Sequence, residues 1–134
     1  MTQRVLFLCT GNSCRSQMAE AIVNARQPEW KAFSAGTKPT GTVHPMAKLV
    51  LDEIGIHHNG VSKNVDLFRK EEFDLVVTVC DEANEECPVW LGKGRRIHES
   101  FIDPAKAQGS DEERIAVFRQ VRDEMVKKIP SLLK

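Results

Sequence analysis

The chain has 134 residues and carries nineteen basic and nineteen acidic side chains, for a formal charge of zero. That length suits one domain, spanning residues 1–134, with enough interior for a real core. Balanced charge leaves no footprint for nucleic acid or an anionic membrane, and the N-terminal apolar run is too short for a secretory leader or a membrane span, so a cytoplasmic protein is expected, with a monomer as the default state.

Residues 4–8 contain the run Val5-Leu6-Phe7-Leu8 and read as a buried parallel strand. The stretch Cys9-Thr-Gly-Asn-Ser-Cys-Arg-Ser16 leads into a helix predicted over 16–25, with Met18, Ala21, Ile22 and Ala25 on one face and Pro28 beyond its end. Residues 31–35 form a short strand stopped by Gly36, and a Gly/Pro/Thr loop follows over 37–42. Pro45 suits the first turn of a helix over 45–54, closed by Gly55. An extended connection over 56–65 and a helical turn over 66–70 come next. Residues 73–79 are β-branched and nearly all apolar, the strongest strand signal, and 95–98 form a fourth strand. Ser110 and Glu113 make a capping box ahead of a helix to about residue 129, whose apolar stripe is Ile115, Phe118, Val121, Met125 and Ile129. Strands alternating with helices imply a parallel α/β sheet with right-handed crossovers.

A loop between a strand and a helix N-terminus aims several backbone N–H groups at one point, and the helix dipole adds positive potential there. Thr10, Gly11, Asn12, Ser13, Cys14 and Arg15 would line such an oxyanion cradle. Gly11 is expected to allow the tight turn, Asn12 to pin the loop to backbone groups, and Arg15 to grip two oxygens of the ligand. The same field favours Cys9 as a thiolate nucleophile, with Ser16 donating a hydrogen bond to its sulfur. Cys14 reads as a small packing residue. Four cysteines in a reducing compartment point to reactivity, metal binding or burial, and no Cys-x-x-Cys pair signals structural zinc. No metal site is expected, and His44, His57, His58 and His98 show no ligand spacing among themselves.

The segment Cys9-Thr-Gly-Asn-Ser-Cys-Arg-Ser-Gln-Met-Ala-Glu20 resembles the active-site loop of the low-molecular-weight protein tyrosine phosphatase fold. More closely, it is similar to that of the thioredoxin-coupled arsenate reductases built on that fold. The resemblance extends through Phe33-Ser-Ala-Gly36, Asp74-Leu-Val-Val-Thr-Val-Cys80, Cys87-Pro88, Asp103-Pro-Ala105 and residues 118–124. It implies a three-layer sandwich with a four-stranded parallel sheet in the order 2-1-3-4. It also implies a relay: Cys9 captures arsenate, Cys80 attacks the Cys9 sulfur, and Cys87 attacks Cys80. The resulting redox-active Cys80–Cys87 disulfide is then reduced by thioredoxin. Asp103 matches the general-acid position. A phosphatase acting on phosphotyrosine or small phosphomonoesters and a redox-sensing protein are the alternatives. The phosphatase is disfavoured because no tyrosine follows Asp103-Pro104 or occurs anywhere in the chain.

Some relatives hold potassium through residues matching Asn12, Glu20 and Ser34 plus an aspartate, where this chain has Lys63 after Ser62. The expectation is therefore that Lys63 replaces the ion by pairing with Glu20. No bound cofactor is expected. A continuous helix over 80–87 would hold the two cysteines ~10 Å apart at ~1.5 Å per residue, beyond the ~7 Å limit for a disulfide. The polar segment between them is thus expected to unwind on oxidation, with Trp90 as its reporter.

Overall fold

The computed structural model describes residues 2–81 and 87–134. Strand β1 (Gln3–Cys9) lies inside a four-stranded sheet, between β2 (Trp30–Gly36) and β3 (Leu75–Thr78), with β4 (Arg95–His98) outside β3. All pairs are parallel, so the order is the expected 2-1-3-4 and every carboxyl end meets one edge. In register, Leu8 stands opposite Thr78 and Thr78 opposite His98. β1 reads as an unbroken apolar run because both of its faces are buried. Val5, Phe7 and Cys9 join one core cluster, while Leu6 and Leu8 join the other.

Helices α1 (Arg15–Arg26), α2 (Pro45–Asp52) and α3 (Asp111–Leu132) supply the first cluster, which includes Met18, Val50, Phe118 and Met125. Among the described residues, the second face is covered by the 3-10 turn Val65–Phe68 and a ring cluster rather than by long helices. In that cluster Phe33, Phe68, Phe73 and Trp90 meet edge to face at 5.7–5.9 Å. The sheet between two covers makes the three layers.

The elements fall where periodicity and punctuation place them, with instructive shifts. Ala25 is exposed, not on the buried face. Instead α1 buries Arg15, Ser16, Gln17 and Glu20 along with Met18 and Ile22, because loops from elsewhere cover its polar side. β3 is shorter than the apolar run: Phe73 leaves it to join the rings, although the Asp74 N–H still bonds the Arg4 carbonyl at 2.9 Å. α3 passes through Pro130 to Leu132, tolerated in a last turn where one backbone bond is given up. Its N-terminus carries the complete capping box, with the Ser110 side chain accepting from the Glu113 N–H and Glu113 bonding back. Among the described residues no helix is long and apolar enough to cross a membrane.

Candidate active site

The loop after β1 places Cys9 at the carboxyl end of a strand flanked on both sides, 2% exposed. The left-handed residue of the turn is Asn12 at φ +48°, not Gly11 as the sequence suggested. Asparagine tolerates that conformation better than most side chains. Its amide is fully engaged. Asn12 Oδ1 accepts from the Lys63 backbone N–H at 2.8 Å and from Gln17 Nε2 at 2.9 Å, while Nδ2 donates to Ser16 Oγ at 2.8 Å. A backbone N–H can only donate, which decides the amide's orientation. Ser16 Oγ therefore accepts from Asn12 and keeps its single proton to give; Cys9 Sγ lies 2.9 Å away, and toward a Cys9 thiolate Ser16 is the donor. The Asn12 backbone N–H reaches the same sulfur at 3.3 Å. Two donors thus converge on the nucleophile.

Gly36, at the end of β2, faces this loop so closely that a Cβ there would lie 2.3 Å from the Thr10 carbonyl oxygen. Close approach, not turn-making, requires the glycine.

In front of Cys9 lies a cleft of about 190 Å³ lined by Gly11, Asn12, Ser13, Cys14, Arg15 and Asp103, among others. Thr10 belongs to the loop but does not line the cleft. Cys14 is the N-cap of α1 and makes no side-chain capping bond. The first-turn N–H groups thus lack a side-chain cap, the arrangement that suits an oxyanion. Arg15 is buried, donating to the Phe101 carbonyl at 3.3 Å and standing 3.6 Å from Asp103 Oδ2. The other Asp103 oxygen accepts from the Ala105 N–H at 3.0 Å, capping the 3-10 turn Pro104–Lys106. Asp103 is therefore both a turn cap and a cleft residue. Burial, followed by the charge of Asp103, pushes the Cys14 thiol up to about 12, so it stays protonated at neutral pH.

Thr40 and His44 also line the cleft, which sequence reasoning missed. The His44 N–H bonds the Ser13 carbonyl at 3.0 Å, tying the two loops together. Its Nδ1 accepts from the Met46 N–H at 3.1 Å, so the neutral ring carries its proton on Nε2. Burial, aided by Arg114, lowers its pKa against the opposing pull of Asp103. The readable signal was a histidine ahead of Pro45 in N-cap position.

Glu20 lies behind the loop, bonded to Ser34 Oγ at 3.1 Å, with Lys63 Nζ at 3.9 Å and His58 Nε2 at 3.6 Å. Burial raises its pKa against the opposing charge of Lys63. His58 Nε2 also lies 2.7 Å from Gln17 Oε1, and Gln17 turns its amide nitrogen toward Asn12 and the Val61 carbonyl. A hydrogen-bonded line therefore runs from His58 through Gln17, Asn12 and Ser16 to Cys9.

Cys80 follows β3 at the same sheet edge, and the Val79 N–H still bonds the Leu8 carbonyl at 2.9 Å. In register Cys9 stands beside Val79, so Cys80 lies one residue beyond it on the neighbouring strand, at the same edge. Cys80 is disulfide-bonded to Cys87, with Cα atoms 5.8 Å apart, whereas Cys9 and Cys14 are free. That separation is well short of the ~10 Å a continuous helix would set between them. The expected unwinding concerns residues 82–86, which lie outside the described residues. Cys80 is fully buried and Cys87 half-buried. Trp90 is packed against Phe73 and donates Nε1–H to the Lys93 carbonyl at 3.0 Å.

The low molecular weight phosphotyrosine protein phosphatase family matches over residues 4–134. The chain belongs to that family. Within it, the chain is 47% identical over 132 residues to an arsenate reductase of Halalkalibacterium halodurans, covering 96% of this chain and 94% of that protein. The crystal structure of an arsenate reductase from Archaeoglobus fulgidus matches with a TM-score of 0.81 at 33% identity, over 96% of this chain and 97% of the other. A family structure described as an arsenate reductase in oxidized state matches with a TM-score of 0.78 at 26% identity, covering 98% of this chain and 96% of that one. One described as in reduced state gives 0.70 at 27% identity over the same shares.

Proposed function

We propose that this chain is an arsenate reductase that converts arsenate to arsenite, serving arsenic detoxification. The observation that carries the reading is the Cys80–Cys87 disulfide beside a free Cys9 in an oxyanion loop. A phosphatase needs only the loop, whereas a reductase must also supply two electrons, and two thiols becoming one disulfide supply two.

Each step follows from a named residue. Arsenate enters the cleft, held by loop N–H groups and the Arg15 guanidinium. The Cys9 sulfur, held by Ser16 and Asn12, attacks arsenic. An As–O bond breaks, Asp103 protonates the departing oxygen, and water leaves an arseno-cysteine. Cys80 then attacks the Cys9 sulfur. The S–As bond breaks with its electron pair passing to arsenic, which leaves as arsenite, and a Cys9–Cys80 disulfide remains. Cys87 attacks Cys80, releasing Cys9 as a thiol. The structure has the bonding of that last state, with Cys9 ready and the electrons spent.

A dithiol protein of the thioredoxin type resets the pair by exchange. The exposed apolar side chains of Val89 and Leu91, 70% and 81% exposed just beyond Cys87, give such a protein a surface to meet. We read the chain as one cytoplasmic domain acting as a monomer without a bound cofactor. Glu20 already faces two basic groups, Lys63 and His58, a poor donor set for a further cation. Exchanging potassium for sodium should accordingly leave turnover unchanged, and a specific potassium requirement would refute that point.

The deciding assay follows NADPH oxidation with arsenate, thioredoxin and thioredoxin reductase. Cys80→Ser and Cys87→Ser should each lose turnover yet keep weak aryl phosphate hydrolysis, because the cleft accepts phosphate as well as arsenate. Cys9→Ser should lose both. Aryl phosphate hydrolysis with no arsenate-dependent NADPH use would sink the reductase reading.

A further inference from the structure

His98 has no part in the relay, yet its position is specific. The pairing Thr78↔His98 carries it to the same sheet edge as Cys80. One ring nitrogen of His98 and the sulfurs of Cys80 and Cys87 all lie within 4.8 Å of one another. Two cysteines and a histidine make a set that tetrahedral zinc uses, with a fourth position left for solvent. With Zn–S bonds of about 2.3 Å, such a site separates its sulfurs by roughly 3.8 Å. Opening the disulfide frees both sulfurs to take that spacing.

The second shell is in place too. His98 Nδ1 lies 2.7 Å from Thr78 Oγ1. Metal-bound histidines usually donate their other ring N–H to such an oxygen, which holds the ring and its tautomer. A ring that ligates through Nε2 would carry its proton on Nδ1 and donate it to Thr78 Oγ1. A cleft of about 260 Å³ lined by Pro88, Val89, Arg96 and His98 among others gives an entry path.

We infer that the reduced Cys80 and Cys87 thiols, with His98, bind a thiophilic divalent cation such as Zn²⁺, and that ion and disulfide exclude each other. Binding deprotonates the two thiols and changes no oxidation state; the protons pass to solvent. Zinc then occupies the sulfurs that the relay needs, so the ion and arsenate turnover compete for one dithiol. The site uses the relay's cysteines but does not depend on arsenate chemistry.

The test titrates the whole reduced protein, freed of reductant under anaerobic conditions, with Co²⁺, and then displaces it with Zn²⁺. One Co²⁺ per chain should bind with thiolate-to-cobalt charge-transfer bands and the d–d bands of a tetrahedral site. The disulfide form, Cys80→Ser and Cys87→Ser should lose those bands. Thr78→Val should bind about tenfold to a hundredfold more weakly, the usual cost of a lost second-shell partner, and His98→Ala, which removes a ligand, more weakly still. Cys9→Ser and Cys14→Ser should bind as the parent does. Bands that survive in Cys87→Ser or in the disulfide form, wild-type affinity in His98→Ala, or no charge-transfer band in the reduced protein would overturn the site. None of these readouts involves arsenate, so their failure leaves the reductase reading intact, and the NADPH assay can fail with this site standing.

Discussion

Ser16 connects the nucleophile to the rest of the loop, accepting from the Asn12 amide and lying 2.9 Å from the Cys9 sulfur, to which it donates when Cys9 is a thiolate. Ser16→Ala should slow arsenate turnover roughly tenfold to a hundredfold, the worth of one hydrogen bond to a charged group at ~1.5–3 kcal/mol. Single-turnover arsenite release measures it, and an unchanged rate would remove Ser16 from the chemistry. His58, at the far end of the same line, is held below its ordinary pKa by burial, with Lys63 and Lys48 adding to the effect. The unfolded ring takes its proton near ~6.5, and the folded ring does so only at lower pH. Across that window the unfolded chain binds more protons, so stability is full above ~6.5 and falls as pH drops through it. Glu20, with its pKa raised, contributes in the opposite direction: its share is present at low pH and lost as pH rises through its folded value. His58→Gln should flatten the histidine slope in urea midpoints measured between pH 7.5 and 5.5, roughly the span of an ordinary histidine titration. An unaltered slope would show that His58 does not set it.

At the scale of elements, the loop is shaped as much by β2 and the 58–63 segment as by β1 and α1. Gly36→Ala would drive a Cβ into the Thr10 carbonyl. It should cost ~1–3 kcal/mol of overpacking, a fall of roughly 4–12 °C in melting temperature, and most of the turnover. A variant that melts and turns over like the parent would mean the approach is not constraining. The sequence made the strands, the helices and the nucleophile loop readable, because apolar period, proline, glycine and capping signals are local. It did not make Asn12's conformation readable, since that rests on Lys63, fifty-one residues away. The buried polar side of α1 was hidden for the same reason: Gln17 and Glu20 look like a solvated face until the loop around His58 and Lys63 covers them. His98 had no signal of its own, and only the β3–β4 register brings it to the cysteines.

For the whole molecule, one parallel sheet gathers oxyanion capture and electron transfer at a single edge. Cys9 and Cys80 are 2% and 0% exposed, whereas Cys87 is half-buried. On the proposed relay the fold would behave as an insulated conductor with one terminal: reducing equivalents would enter at the half-buried Cys87, with Cys80 buried behind it and Cys9 reached through the oxyanion cleft. In Cys87→Ser the proposed point of entry is removed. An excess of glutathione should then fail to restore arsenate turnover, while restored NADPH-independent turnover would reveal a leak. The low exposure of Cys9, at 2%, likewise favours attack on its arsenic-bearing sulfur by neighbouring Cys80 over attack by a small thiol from solvent.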